Sequence, residues 1–229
     1  MVASLAQVVS IPTASGTRSV VTLHPAIASR YAGVVAPTVP LIEAGLSARV
    51  VANRVASVST SPASIVLRPW RDERRRYARL VRTLAPPGGR LVLADVRACY
   101  PSIAPSVAER RLRSLGVGRS QALAVARFLD WLGNRLDVAG LPIGPAPSAV
   151  LANAVLAEVD ERLEGAGRRF VRWVDDVVVG VSSQDDASAV LELIDAALRR
   201  VGLDRNEAKT RFADVRAGHG SPSEIGPRT

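Results

Sequence analysis

The chain has 229 residues, enough for one full core or two intimate lobes, and its 30 basic and 21 acidic residues leave a formal net charge of +9. A field of that sign draws polyphosphates, so nucleic acid and nucleotides are the expected partners. The single cysteine excludes an intrachain disulfide and suits a reducing, cytoplasmic setting, while no apolar run approaches the ~20 residues of a membrane span and none reads as a secretory signal.

Residues 1–40 are rich in Val, Ala, Ser, Thr and Pro, and Pro12, Pro25, Pro37 and Pro40 interrupt every run. Residues 41–57 read as an amphipathic helix with Leu41, Leu46, Val50 and Val55 on its core face. A dense basic cluster follows, in which Arg68, Arg71, Arg74, Arg75, Arg76, Arg79 and Arg82 surround Trp70 and Tyr77. Arg71, Arg75 and Arg82 fall near whole helical turns. They serve either as phosphate contacts or as a solvated face paired with Asp72 and Glu73.

The turn signal Pro86-Pro87-Gly88-Gly89 precedes an apolar strand, Leu91 to Asp95, that ends on a carboxylate. Ser106-x-x-Glu109 has the form of a capping box, and Leu123, Phe128, Leu132 and Leu136 mark a second helix. Gly and Pro alternate too densely from Gly140 to Ser148 for a regular element, so this is a rigid loop. Ser148 is placed to cap the next helix, whose Leu151, Val155, Val159 and Leu163 recur every four residues as one buried stripe.

The segment Phe170-Val171-Arg172-Trp173-Val174-Asp175-Asp176-Val177-Val178-Val179 sets two carboxylates between β-branched runs. It predicts a tight hairpin with Asp175 and Asp176 at its tip. Asp-Asp also makes an ordinary turn. Two like charges so close favour a bound cation, and a third carboxylate would give what a pair of Mg²⁺ ions needs for phosphoryl transfer. Asp95 is the candidate. Helix 186–200 and a strand near 209–215 complete a β-α-β-β-α-β order, in which the first and third strands are adjacent and bring Asp95 beside the hairpin tip.

Taken together, these segments resemble the palm of reverse transcriptases, with the family's motifs in order. Asp95 to Ile103 resembles motif A, Gly140 to Asn153 motif B, Trp173-Val174-Asp175-Asp176 motif C, and Gly202 to Thr210 motif D. The resemblance covers roughly residues 90–213. The Gly-Leu-Pro-x-Gly-Pro form of motif B is similar to that of bacterial abortive-infection and unclassified defence-type enzymes, which by analogy implies antiphage defence. The implied fold is α/β (α+β), a ferredoxin-like palm with a mostly helical fingers region and no thumb. Residues 1–89 would be fingers, 90–215 palm with 105–139 as a helical insertion, and 216–229 a flexible tail. A homo-oligomer or partner protein would then supply the missing grip on the duplex.

The resemblance implies an RNA-directed DNA polymerase that uses two Mg²⁺ ions, with Mn²⁺ able to substitute, a template, a primer and dNTPs. Asp95 and Asp175 would hold the ions about 3.5–4 Å apart, with the Val96 carbonyl in the nucleotide-side shell and Asp176 a lesser ligand. Lys209, the only lysine, would steady or protonate pyrophosphate. Tyr100 matches the steric gate against a ribose 2′-hydroxyl. Gly144, Ser148, Arg71 and Arg75 are the further substrate contacts. Two residues depart from the family pattern: Trp173 replaces the first Tyr of motif C, either crowding the primer end or packing beneath it, and Ile143 stands where many members have Gln. Template-independent or protein-primed synthesis, and a non-catalytic nucleic-acid-binding palm, are the alternative readings.

Overall fold

The computed structural model describes residues 5–13, 16–85 and 89–214. In chain order the elements are β1 (Ala6–Thr13), β2 (Gly16–Leu23), α1 (Pro25–Val35), α2 (Val39–Gly45), β3 (Val55–Thr60), β4 (Ala63–Leu67), α3 (Trp70–Val81), β5 (Arg90–Asp95) and α4 (Cys99–Ser102). They continue with α5 (Pro105–Ser114), α6 (Arg119–Leu136), α7 (Ala146–Gly165), β6 (Phe170–Trp173), β7 (Asp176–Val181), α8 (Gln184–Arg200) and β8 (Arg211–Asp214). Two compact units divide them. The first holds the chain up to Gly45, Asn53–Leu67 and Ala98–Val155; the second holds Leu46–Ala52, Arg68–Arg97 and the chain from Leu156 onward. The predicted turn at 86–88 and the tail 216–229 lie outside the described residues, as does Val215 at the end of the last predicted strand. No helix among the described residues is long and apolar enough to cross a membrane.

The second unit is built on an antiparallel four-stranded sheet in the order β6-β7-β5-β8. With α7 and α8 as its crossovers this is the expected β-α-β-β-α-β arrangement, the first and third strands central and adjacent. Period-two alternation gives each face its role. Leu91, Leu93, Val171 and Val178 pack with Tyr77 and Val81 of α3, so α3, grouped by sequence with residues 1–89, shares its core with the sheet. The other face buries Val92, Ala94, Phe170, Arg172, Val177 and Val179. Each fully buried Val or Leu contributes roughly 1.5–3 kcal/mol, and a one-residue slip would exchange the two faces, so the register is firmly set.

In the first unit α5 packs on α6, α1 packs on both α6 and β4, and β1 and β2 pair with each other. The α7 stripe of Leu151, Val155, Val159 and Leu163 is fully buried, as its spacing predicts.

Three local expectations are corrected. The helix expected over 41–57 ends at Gly45. Val50 then bridges Arg172, Asn53 takes a left-handed φ of 59°, and Val55 opens β3. The apolar spacing there reflects separate burials, not one helical face. Ser106 is not a cap, because Pro105 occupies the first helical position and Ala104 precedes it with no side-chain cap. Ser148 is likewise not an N-cap, since α7 already begins at Ala146.

Candidate active site

Register brings the first carboxylate to the other two. Asp95, the last residue of β5, lies directly opposite Asp176, the first residue of β7. Directly opposed side chains in an antiparallel pair have Cβ atoms roughly 4.5–5.5 Å apart. Asp175 sits in the turn between β6 and β7, and its carbonyl accepts a hydrogen bond from the Val96 N–H at 3.2 Å. The three acidic residues therefore gather at one end of the sheet, with Asp95 and Asp176 on the face covered by α3.

The electrostatics follow from this crowding. Burial, and then the neighbouring Asp175 and Asp95, push the Asp176 carboxyl up to about 7, against the pull of Lys209 and Arg211. The Lys209 Nζ lies 3.2 Å from Asp95 Oδ1, so a cation is already drawn to the cluster. The loop carrying Lys209 is tied down along its length. The Asn206 N–H donates to the Asp95 carbonyl at 2.7 Å, and Arg205 makes two bonds to Asp195 at 2.8 and 3.0 Å.

Among the described residues, no group of three or more His, Cys, Asp or Glu side chains is arranged to hold a metal ion as it stands. The donor chemistry nevertheless fits a hard divalent cation. It consists of carboxylate and carbonyl oxygens, crowded like charges, and a side-chain ammonium attracted to one of them.

Trp173 packs beneath the site. It lies opposite Asp176 in the ladder, and its ring meets Tyr77 of α3 edge-on at 5.5 Å between centroids. Burial, with Asp176 nearby, pushes the Tyr77 phenol up and keeps it neutral. Of the two readings of the Trp173 departure, packing is therefore the observed one.

Of the remaining predicted residues, Arg71 and Arg75 belong to the second unit, and Tyr100, Gly144 and Ser148 to the first. Arg71 and Arg75 are exposed on α3; Arg75 faces Asp72 at 3.5 Å, and the Arg71 guanidinium lies 6.0 Å from the exposed Trp70 ring. In the first unit, the Tyr100 hydroxyl accepts a 3.3 Å hydrogen bond from Asn53 Nδ2. Gly144 has a φ of 122°, and a Cβ there would come within 2.6 Å of the Val21 carbonyl. The neighbouring Ile143 carbonyl accepts the Val21 N–H at 2.7 Å, which pins the loop to β2. Gly140, at a φ of 62°, lies so close to the Tyr100 and Pro101 carbonyls that a Cβ would collide with both. Ser148 is fully buried and shares a 3.1 Å hydrogen bond with the Tyr31 hydroxyl.

Sequence reasoning missed the buried pair behind the hairpin. Arg172 and Asp160 are almost wholly inaccessible and joined by two bonds, from Nε at 2.9 Å and Nη2 at 2.7 Å. The available signal was an arginine inside an apolar strand, a position that demands a buried partner.

Comparison with known proteins agrees with this geometry. The reverse transcriptase (RNA-dependent DNA polymerase) family matches residues 82–219, more than half of the chain. Retron Mx65 reverse transcriptase from Myxococcus xanthus is 30% identical over 192 residues, covering 72% of this chain; the chain spans 42% of that protein's length. Telomerase from Candida albicans, in complex with a fragment of telomeric RNA, shares the fold with a TM-score of 0.57 at 15% identity, over 95% of this chain and 42% of that one. Apo telomerase from Candida tropicalis does so with a TM-score of 0.56 at 13% identity, over 94% of this chain and 44% of that one.

Proposed function

Because the chain belongs to the reverse transcriptase family, we propose that it is an RNA-directed DNA polymerase, a nucleotidyltransferase that adds deoxynucleotides to a primer 3′-hydroxyl. The observation that carries this reading is the opposition of Asp95 and Asp176 across β5 and β7, with Asp175 on the adjoining turn. Asp95, Asp175 and the Val96 carbonyl are the groups that would hold Mg²⁺, with Asp176 steadying them. Such ions, when bound, would supply activation of the primer hydroxyl and charge neutralisation on the triphosphate.

The chain's own groups do the rest. Asp95 holds the Lys209 ammonium, which is the donor for a proton to the leaving pyrophosphate. Burial and the neighbouring Asp175 and Asp95 push the Asp176 carboxyl up to about 7, so a bound cation would favour its ionised form. Tyr100, five residues after Asp95, is assigned from the family resemblance as the gate that excludes a ribose 2′-hydroxyl. Tyr100→Ala should raise ribonucleotide incorporation in a primer-extension assay; unchanged sugar discrimination removes it as the gate.

The test of the whole reading is extension on homopolymer RNA templates with each dNTP singly, with and without Mg²⁺. Incorporation only of the complementary nucleotide supports templated synthesis. Incorporation of one nucleotide on every template identifies template-free synthesis, the reading that the apolar Ile143 in motif B keeps open. Nucleic-acid binding with no extension in any arm overturns the enzymatic reading.

A further inference from the structure

Arg172 occupies an unusual position. It is the third residue of β6 and is fully buried, facing the side of the sheet opposite to the carboxylates. Asp160 on α7 clamps its guanidinium by two bonds of 2.9 and 2.7 Å, which fixes both its plane and its height. From that fixed base Nη1 reaches forward and donates to the Val174 carbonyl at 2.8 Å.

Val174 is the residue that needs holding. It has a φ of 53°, a left-handed conformation that a β-branched side chain rarely takes. Glycine would adopt it freely; valine adopts it only where surrounding contacts impose it. Asp175 follows directly, so the path of the chain through Val174 sets where the Asp175 carboxylate points. A further attachment of this turn is the 3.2 Å bond from Val96 N–H to the Asp175 carbonyl, on the neighbouring strand. Arg172 itself is anchored through its backbone, its N–H donating to the Arg49 carbonyl and its carbonyl accepting from Val51, both at 3.0 Å. The clamp thus rests on a fixed strand and acts on a strained turn.

We infer that Arg172, oriented by Asp160, is a positioning residue that holds the Val174 turn so that Asp175 is aimed for divalent-cation binding. This rests on the metal-dependent reading of the site but concerns residues that touch neither metal nor nucleotide. A buried pair serving only the core would leave cation affinity untouched in every variant that folds. A pair that aims a ligand lowers cation affinity while the fold persists; outer partners of this kind are typically worth about 10–100-fold in metal affinity.

The experiment uses the full chain and Mn²⁺, with binding read directly by electron paramagnetic resonance and separately from Mg²⁺-dependent primer extension. Asp160→Asn keeps the shape and removes the charge that orients the guanidinium. Arg172→Lys keeps the charge toward Asp160 but cannot span both Asp160 and the Val174 carbonyl. Asp160→Glu keeps both charges and displaces the guanidinium by one methylene, and is the variant read where the others do not fold.

Folded variants should bind Mn²⁺ at least about 10-fold more weakly than the wild type. Their extension activity should recover as Mg²⁺ is raised. Wild-type Mn²⁺ affinity in folded variants, with activity falling only as the folded fraction falls, overturns the inference. Weakened Mn²⁺ binding in variants of a protein that extends no primer leaves the inference standing and defeats the polymerase reading instead. A wild-type protein that binds no Mn²⁺ overturns both.

Discussion

The hairpin at 170–181 and the loop at 140–148 both carry motif residues, yet they use them in opposite ways. In the hairpin, backbone register and a buried ion pair free two carboxylates to stand at the end of a sheet. In the loop, Gly140 and Gly144 allow backbone to approach backbone, and Ser148 is turned inward onto Tyr31. The difference teaches that a motif residue can be special for what it presents or for what it permits. Only the first kind is expected to bear directly on chemistry.

Substitutions can break or sharpen this contrast. Asp175→Asn should lower primer extension by on the order of 10³-fold or more, since several kcal/mol of charge stabilisation vanish with the ligand. Its melting temperature should stay at or above that of the wild type, because a repulsive neighbour of Asp176 has been neutralised. A large loss of stability with modest loss of activity would move Asp175 into the structural class.

The pH dependence follows from the raised carboxyl of Asp176. A folded-state value of about 7 against an ordinary 3.8 means that the folded protein holds a proton the unfolded chain releases. The associated stability is complete below about 4 and is lost as pH rises through about 7. A divalent cation held by the cluster would take over the role of that proton. Thermal melts should therefore show a larger Mg²⁺-induced rise in melting temperature at pH 8 than at pH 6, and an equal rise at both would contradict the clustering.

Gly144→Ala should reverse the Asp175 pattern. A side chain at a φ of 122°, pressed on the Val21 carbonyl, costs roughly 1–3 kcal/mol in urea unfolding. Activity per folded molecule should survive far better than in Asp175→Asn. The smallest effect belongs to Ser148→Ala, which leaves the buried Tyr31 hydroxyl without that partner and costs about 1 kcal/mol. Nucleotide KM should not move; a raised KM would return Ser148 to the substrate.

Much of the second unit was legible in the sequence because its central strands are buried apolar runs. Leu91 to Asp95 and Val177 to Val179 read as strands from their apolar runs alone, and β5–β7 adjacency follows from the connection order. The β1–β2 hairpin was not legible. Val8, Val9 and Ile11 are about half exposed, so no buried face imposes an alternation that would announce a strand. The apolar positions at Leu46, Val50 and Val55 misled because the helix ends at Gly45 before the first of them and Asn53 takes a left-handed φ between the last two. The Arg172–Asp160 pair was not legible because its partners lie on different elements, β6 and α7, and no local pattern in the sequence joins them.

The seat of Trp173 offers a practical handle. Its indole rests on Tyr77 and faces Asp176 across the ladder, so its fluorescence should report on the carboxylate cluster. With Trp70 and Trp131 changed to Phe, this becomes the sole indole emitter in the chain. Titrating such a protein with Mg²⁺ would turn the hairpin into an optical gauge of its own occupancy, readable before any nucleotide is added.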